Sequence, residues 1–324
     1  MTANTTRRIR AALTTLAVAV GPSACTDYIL ETTVHVDGSG VREERVEVGE
    51  NEDVSITPER YLALMHLGPD EGWSRNRGVN ANGDSVDLFL RRLAVPDLAS
   101  WSDVSGSFRI DAADAARGAE RMGYVRLGEV RFRNAVQVGR GRTSDGTTIL
   151  TYRETFTWDQ AVDALVEYLV SRFDASVSRR YPRLSPEERG QIVGSFRARV
   201  WMAVADGLLS DDSDEDAILE AVAADVALPG GKIVATRYPG EGSASVAELV
   251  GAVFEDQELE GIARLLPGLD LGFNAHVVFR LNLPGEVTDT NAHRVEGTTL
   301  VWEFGPSDAL EGPIELRAQS VVAG

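Results

Sequence analysis

Two kinds of hydrophobic pattern divide this chain. In its first and last parts, apolar and polar residues alternate over short runs, a pattern that predicts β-strands with one buried face. From Thr157 to about residue 266 the period lengthens to about 3.6 residues, which predicts helices with an apolar stripe. The pattern therefore predicts an α+β fold in which N-terminal and C-terminal strands form a mostly antiparallel sheet, with a helical block inserted between them.

The domain boundaries follow the change of period. We expect residues 1–24 to be a signal peptide, 25–157 an N-terminal strand-rich part, 158–266 the helical block and 267–324 the C-terminal strands that complete the sheet. The pattern leaves open whether the helical block buries one face of the sheet or stands as a separate lobe.

The clearest strand pair lies near the start of the expected mature chain. Tyr28–Val36 and Val41–Val48 flank Asp37-Gly38, a dipeptide that readily takes the positive φ angles of a tight hairpin. Six further strands are expected: Val86–Val95, Phe108–Ile110, Tyr124–Val138, Thr148–Thr157, Phe273–Leu283 and Arg294–Phe304. A last strand is predicted at Ile314–Val321, and alternation along the strand that carries Trp302 places Leu300, Trp302 and Phe304 on one apolar face.

Capping signals mark the expected helix starts. Ser185-Pro186-Glu187-Glu188 combines a capping box with proline at the first helical position. The other predicted boxes pair Thr157 with Gln160 and Ser245 with Glu248, and another helix is expected near Ser213. Shorter helices are predicted after Thr57-Pro58-Glu59 and over Ala112–Met122.

The first 25 residues have the layout of an export signal. Arg7, Arg8 and Arg10 precede an apolar run over residues 11–20, and small residues then lead to Cys25. This order predicts cleavage before Cys25 by a lipoprotein signal peptidase and acylation of its thiol. Pro22 departs from the aliphatic residue usual three positions before the cysteine. Plain secretion with a spare thiol, or an uncleaved N-terminal helix, remain the alternatives.

Charge narrows the choice of partners. The 324 residues carry a formal charge of −18, and removing the three arginines of residues 1–24, which contain no acid, leaves 29 basic against 50 acidic residues. Such a surface repels nucleic acid and anionic lipid headgroups, so we expect no nucleic-acid partner and membrane attachment through acyl chains only. No cysteine besides Cys25 is present, so stability must come from packing rather than disulfides.

No catalytic motif appears in the sequence. The four histidines, His35, His66, His276 and His293, lack metalloprotease spacing, and neither a nucleophile elbow nor a phosphate-binding loop is present. Alternating oxygen-bearing residues in Asn80–Asp84 suggest a calcium site, and the acidic run Asp211–Asp216 suggests a metal site, but a plain turn and helix capping explain them better. We therefore predict no catalytic residues, no metal, no cofactor and no enzymatic activity.

A ligand cavity is the remaining candidate site. Leu165, Leu169 and Phe173 share one helical stripe, and together with Trp302 from the last strands they would suit an acyl chain. The alternative is that these four side chains are ordinary close-packed core.

The C-terminal pattern resembles a known family. Leu283-Pro284-Gly285, Asn291, Gly297 and Trp302 form it, and together with Cys25 and the Asp37-Gly38 turn they make the chain similar to the LppM-like family of bacterial envelope lipoproteins. This resemblance covers about 100 residues at the two ends of the chain; it does not extend to the helical block. It implies a surface-exposed α+β envelope domain with a lipid-binding or lipoglycan-binding role and no catalysis.

Together these patterns predict a non-enzymatic lipoprotein of the cell envelope. We expect acylated Cys25 to anchor it on the extracytoplasmic side of a membrane, where it binds a lipid or other amphiphile, or an envelope protein. Two alternatives are kept: an envelope hydrolase of unrecognised type, and a pure scaffolding protein whose helical block docks partners.

Overall fold

A computed structural model provides the coordinates of the chain. It describes residues 26–49, 62–79, 83, 85–111, 121–122, 125–126, 130–208, 214–254 and 275–323. Cys25, the predicted helix start at Thr57-Pro58-Glu59, residues 211–213, and all of Asn80–Asp84 except Gly83 lie outside these ranges.

The strands and helices follow one another in the expected general order. The strands are β1 (Thr26–Val34), β2 (Gly40–Gly49), β3 (Ser74–Val79), β4 (Ser85–Val95), β5 (Arg109–Asp111), β6 (Arg121–Met122), β7 (Val125–Arg126), β8 (Arg131–Arg142), β9 (Thr148–Asp159), β10 (Ala275–Asn282), β11 (Glu286–Thr290), β12 (Arg294–Glu296), β13 (Thr299–Phe304) and β14 (Ile314–Val322). The longer helices are α1 (Ala161–Arg180), α2 (Pro186–Ala205), α3 (Glu215–Arg237) and α4 (Ser243–Val253).

The chain packs into two compact units. The sandwich unit comprises the described residues of 26–111, 131–159 and 275–323, and the helical unit comprises those of 160–254 with the short β6–β7 pair. None of the helices in the described residues is long and apolar enough to span a bilayer.

The described strands of the sandwich unit form two sheets. Sheet A has the order β12-β13-β10-β1-β2-β4-β3, and sheet B has the order β11-β14-β9-β8-β5. Strand β1 pairs antiparallel with β2 and parallel with β10, so the N-terminal and C-terminal strands are neighbours in sheet A. The α+β prediction is confirmed: the sheets are mostly antiparallel, and helices α1–α4 lie in the chain between β9 and β10.

Aromatic side chains fill the space between the sheets. Phe156 of sheet B lies 6.3 Å from Phe279 of sheet A, ring centre to ring centre, and Phe279 lies 5.8 Å from Trp302. The predicted apolar face of β13 is confirmed, because Leu300, Trp302 and Phe304 are all buried in this core. Burying such rings is the main favourable contribution that the sequence makes to folding.

The β1–β2 hairpin forms at the predicted turn. Gly38 adopts φ +91°, and the Asp37 carboxylate accepts hydrogen bonds from the backbone N–H and the hydroxyl of Ser39. The indole of Trp101 donates to the carbonyl of Gly38 and lies over Gly40, where an added Cβ would come within 2.5 Å of the ring. The hairpin therefore depends on both glycines.

The Leu-Pro-Gly pattern is the corner at which the chain passes from sheet A to sheet B. Strand β10 ends at Asn282, directly before Leu283, and Gly285, at φ +85°, leads into β11. An added Cβ on Gly285 would lie 2.2 Å from the carbonyl oxygen of Val321. Only glycine suits both the positive φ and this close backbone approach.

Asn291 completes this corner. Its side-chain carbonyl accepts from the Trp302 indole at 3.1 Å and from the Arg317 N–H at 2.9 Å, and its amide donates to the Glu315 carbonyl at 2.7 Å. One amide thus joins β13 of sheet A to β14 of sheet B. Gly285, Asn291 and Trp302 therefore have a structural role at this corner.

In the helical unit, one capping prediction is confirmed and two are wrong. Ser185 and Glu188 form the capping box of α2. The Thr157–Gln160 box does not form, because β9 continues to Asp159 and Gln160 adopts φ +57° without a side-chain cap. At α4 the N-cap is Gly242, whose N–H donates to the Ser245 hydroxyl, while Glu248 pairs with Arg180 instead.

The structure changes two further predictions of secondary structure, one at residues 121–122 and one at the start of α3. Arg121–Met122, expected at the end of a helix, is strand β6. Asp214 caps α3 by accepting from the N–H of Ala217, next to the position expected from Ser213.

Packing in the helical unit uses rings and glycines. Phe173 of α1 stacks on Phe196 of α2 at 4.3 Å. Gly231 of α3 touches the start of α4, where an added Cβ would lie 2.4 Å from the N of Ser243. The glycine therefore sets how closely α3 and α4 approach.

We expect Gly285→Ala to destabilise the sandwich unit by about 2 kcal/mol or more, because alanine is strained at this φ and its Cβ would meet the Val321 carbonyl. Urea unfolding followed by tryptophan fluorescence measures the loss. Gly146→Ala is the matched control: its φ of +89° is nearly the same, but nothing lies within 4 Å of the added Cβ. Equal losses in the two variants would contradict a role for the close approach at residue 285.

Candidate ligand-binding site

Charged side chains lie inside the sandwich, between the two sheets. We call Arg42, Glu44, Arg91 and Glu154 the interior charge cluster. Arg42 and Glu44 come from β2 and Arg91 from β4 in sheet A, whereas Glu154 comes from β9 in sheet B. The side chains of Arg42, Glu44 and Glu154 are 0% exposed.

The cluster is closely hydrogen-bonded. Arg42 donates from Nε to Glu44 at 3.0 Å and from Nη1 to Glu154 at 2.9 Å, which joins the two sheets. Arg91 donates from Nε to the other oxygen of Glu44 at 2.8 Å. Glu154 also accepts from the Asn134 amide at 2.7 Å and from the Tyr152 hydroxyl. Two guanidinium groups therefore balance two carboxylates.

The electrostatics of the cluster favour the charged state of Arg42. Burial alone lowers the pKa of its guanidinium, but the negative charges of Glu154 and Glu44 and the hydrogen bond to Glu154 outweigh burial, and the pKa is raised above its ordinary value. Burial, and next the charge of Glu154, raise the pKa of the Tyr152 hydroxyl well above its usual range. Arg42 therefore stays protonated and Tyr152 stays a neutral donor. The cluster is a structural element rather than a place where a ligand enters.

His66 is held by two partners. It adopts φ +54°, unusual for a residue with a side chain, and its Nε2 lies 2.7 Å from the carboxylate of Asp111. Nδ1 lies 2.7 Å from Nη2 of Arg109, which can only donate, so Nδ1 accepts and Nε2 donates to Asp111. Both ring nitrogens are therefore engaged in hydrogen bonds with side chains of the same unit.

The other three histidines lie elsewhere in the sandwich unit. His35 is at the β1–β2 turn, and His276 lies at the surface, 3.5 Å from Asp27. His293 accepts the N–H of Glu303 on its Nδ1. Within the residues that the structure describes, no group of three His, Cys, Asp or Glu side chains could hold a metal ion.

The outer face of sheet A carries a groove of about 570 Å³. We call it the outer groove. It is lined by Ile29, Glu31, Glu43, Glu44, Arg45, Gly72, Ser74, Leu90, Arg91, Arg92 and Arg280.

Strand register arranges the outward side chains of the groove in rows across the sheet. One row runs Arg280, Glu31, Glu43, Arg92 over β10, β1, β2 and β4. The next row runs Val278, Ile29, Arg45, Leu90 over the same strands and ends at Ser74 of β3. A charged row therefore lies beside a row with three apolar side chains.

The structure places the four predicted cavity residues in the cores of two units. Leu165, Leu169 and Phe173 are buried in α1 of the helical unit. Trp302 is buried among the aromatic rings of the sandwich unit. A shared cavity for an acyl chain stays a prediction, and acylation of Cys25 lies outside the described residues.

Sequence reasoning missed both the outer groove and the interior charge cluster. The groove needs β1 beside β10, which is a pairing of residues about 250 positions apart, and no local pattern encodes it. A signal was present in β2: Val41–Val48 mixes charges on both alternating positions, so at least one charged side chain had to face the core.

Comparison with known proteins gives one coarse likeness. No family model matches the chain, and no curated protein sequence matches it. The chain is similar to the folded domain of LppM from Mycobacterium tuberculosis, solved by NMR, at 9% identity and a TM-score of 0.29. The alignment covers 93% of this chain and 92% of that domain.

We expect Glu154→Gln to lower the free energy of unfolding by about 3 kcal/mol or more, because Arg42 then shares its one remaining carboxylate with Arg91. Denaturant titration gives the value. Adding Arg42→Met to this variant removes the uncompensated charge and should recover part of the loss. Glu315→Gln, which removes an exposed partner of Arg153 on sheet B, should change little. Losses that simply add in the double variant would show that Arg42 and Glu154 are not coupled.

Proposed function

We propose that this chain is a non-enzymatic lipoprotein of the cell envelope whose sandwich unit binds an amphiphile in the outer groove. Acyl chains on Cys25 anchor it on the extracytoplasmic side of a membrane. The amphiphile is the preferred ligand among the possibilities that the sequence leaves open, which include an envelope protein.

The mixed chemistry of the outer groove carries this proposal. Ile29 and Leu90 provide apolar surface, and Leu90 is 37% exposed. Arginines and glutamates lie directly beside them. Pockets for small molecules typically measure about 300–1,000 Å³ and combine apolar walls with a few polar groups. The volume of about 570 Å³ is in that range.

The position of β1 supports a role at the membrane. This strand begins at Thr26, directly after the expected acylated cysteine, and contributes Ile29 and Glu31 to the groove. Four residues of extended chain span at most about 14 Å. Ile29 in the groove is therefore no more than about 14 Å from Cys25, the residue expected to carry the lipid.

Binding can be tested with the purified chain and a fluorescent fatty-acid probe. We expect saturable binding, and Leu90→Asn should weaken it about fivefold because apolar contact area is lost. Val295→Asn is the matched control, since Val295 is an exposed apolar residue of sheet A that does not line the groove. Equal weakening by both substitutions, or no binding by the unaltered chain, would contradict the proposal.

Anchoring to the membrane is tested separately, in living cells of the organism that produces the protein. Cys25→Ala should abolish metabolic labelling with palmitate and move the protein from the membrane fraction to the aqueous phase of a detergent partition. Labelling that persists in the alanine variant would contradict acylation of Cys25.

A further inference from the structure

We infer that Arg280 binds the anionic headgroup of the ligand in the outer groove, so that the ligand class is an amphiphile with one phosphate or carboxylate. This inference deepens the proposed function and rests on it.

Arg280 has unused hydrogen-bonding capacity. Within the described part of the chain, its guanidinium makes no ion pair and no hydrogen bond. Its Nε is buried without a partner. A guanidinium offers five N–H donors in a fixed plane that matches the oxygens of a phosphate or carboxylate. A half-buried arginine in a groove with all donors unused is therefore suited to an anionic ligand.

The other arginines of the groove already have partners. Arg45 pairs with Glu47 at 2.5 Å, and Arg92 pairs with Glu43 at 2.8 Å. Arg91 pairs with Glu44 in the interior charge cluster. Arg280 alone among the four groove arginines has no carboxylate within 4.0 Å among the described residues.

Glu31 lies opposite Arg280 in the strand register but does not neutralise it by contact. Its carboxylate accepts from the side-chain amide of Asn282 at 3.3 Å, and Asn282 in turn accepts from the Thr299 hydroxyl at 2.6 Å. The Glu31 carboxylate therefore has Asn282, and not Arg280, as its hydrogen-bond partner. As a neighbouring negative charge, Glu31 still lowers the affinity of the groove for an anion.

The apolar row gives the rest of the ligand its place. Val278 and Ile29 are one outward position along β10 and β1 from Arg280 and Glu31, a step of about 6.6 Å. Leu90 lies two strands further across the same row. A head bound at Arg280 would therefore leave an aliphatic chain over Ile29, the methylene stem of Arg45 and Leu90.

The net charge of the groove favours an anionic ligand, although the whole chain is strongly acidic. The outward side chains that line the groove include three arginines, Arg45, Arg92 and Arg280, against two glutamates, Glu31 and Glu43, whereas the full chain carries −18. A cationic amphiphile would meet an arginine that has no counter-ion, and a neutral one would leave it unsatisfied.

The experiment measures Kd values of decyl phosphate, decanol and decyltrimethylammonium, each below its micelle concentration, by displacement of the fluorescent fatty-acid probe. Inorganic phosphate is added as a competitor in a separate arm. The variants are Arg280→Gln, Glu31→Gln and, as matched control, Arg142→Gln, an exposed arginine at the end of β8 in sheet B. Circular dichroism confirms folding of each variant.

We expect decyl phosphate to bind about tenfold or more tightly than decanol, and Arg280→Gln to remove this difference. Glu31→Gln should strengthen decyl phosphate binding, while Arg142→Gln should leave all Kd values unchanged.

Each other outcome decides against one part of the proposal. Equal binding of all three amphiphiles overturns the headgroup role of Arg280 but leaves amphiphile binding intact. Inorganic phosphate that competes as well as decyl phosphate overturns the assignment of an amphiphile, because the apolar row would contribute nothing. Binding of none of the three amphiphiles overturns the proposed function itself.

Discussion

The sandwich unit depends on neutralising one buried cation. Arg42 points from sheet A into a mostly aromatic and aliphatic interior, and its charge requires a carboxylate from each of two strands. Since Glu44 lies on its own strand and Glu154 on sheet B, the charge is satisfied only when the two sheets meet in one register. A slip of β2 by one residue would exchange its inner and outer faces and leave charges unpaired. The cluster thus favours one pairing of the sheets, beyond what the apolar core specifies.

The same alternation that buries Arg42 and Glu44 leaves Glu43 and Arg45 on the outer face. Strand β2 therefore contributes ion pairs to both sides of sheet A, but under different conditions. Inside, every charge must be balanced because water is excluded. Outside, solvent stabilises an unbalanced charge, and Arg280 can remain without a carboxylate partner. An arginine without a carboxylate partner is tolerated beside apolar side chains only on the solvent-exposed face of sheet A. This is also the face that a ligand can reach.

Short sequence patterns predicted those parts of the fold that depend on interactions between residues close in sequence. The Asp37-Gly38 hairpin, the Ser185 capping box and the buried face of β13 each depend on residues a few positions apart. The boxes at Thr157 and Ser245 failed where tertiary structure prevailed: sheet pairing extends β9 through Thr157, and Gly242 caps α4. The outer groove could not be predicted, because it arises from the parallel pairing of β1 with β10, and the chain between them is most of the molecule.

The residues that carry the sequence resemblance do not line the proposed binding site. Gly285 and Asn291 build the corner between the sheets, and Trp302 packs in the core. By contrast, Ile29, Leu90 and Arg280 occupy outward positions of strands, where substitution alters the surface and leaves the corner unchanged. A chain can therefore keep the corner, and with it the sandwich, while the chemistry of the groove changes. The ligand therefore has to be inferred from the outward rows of sheet A.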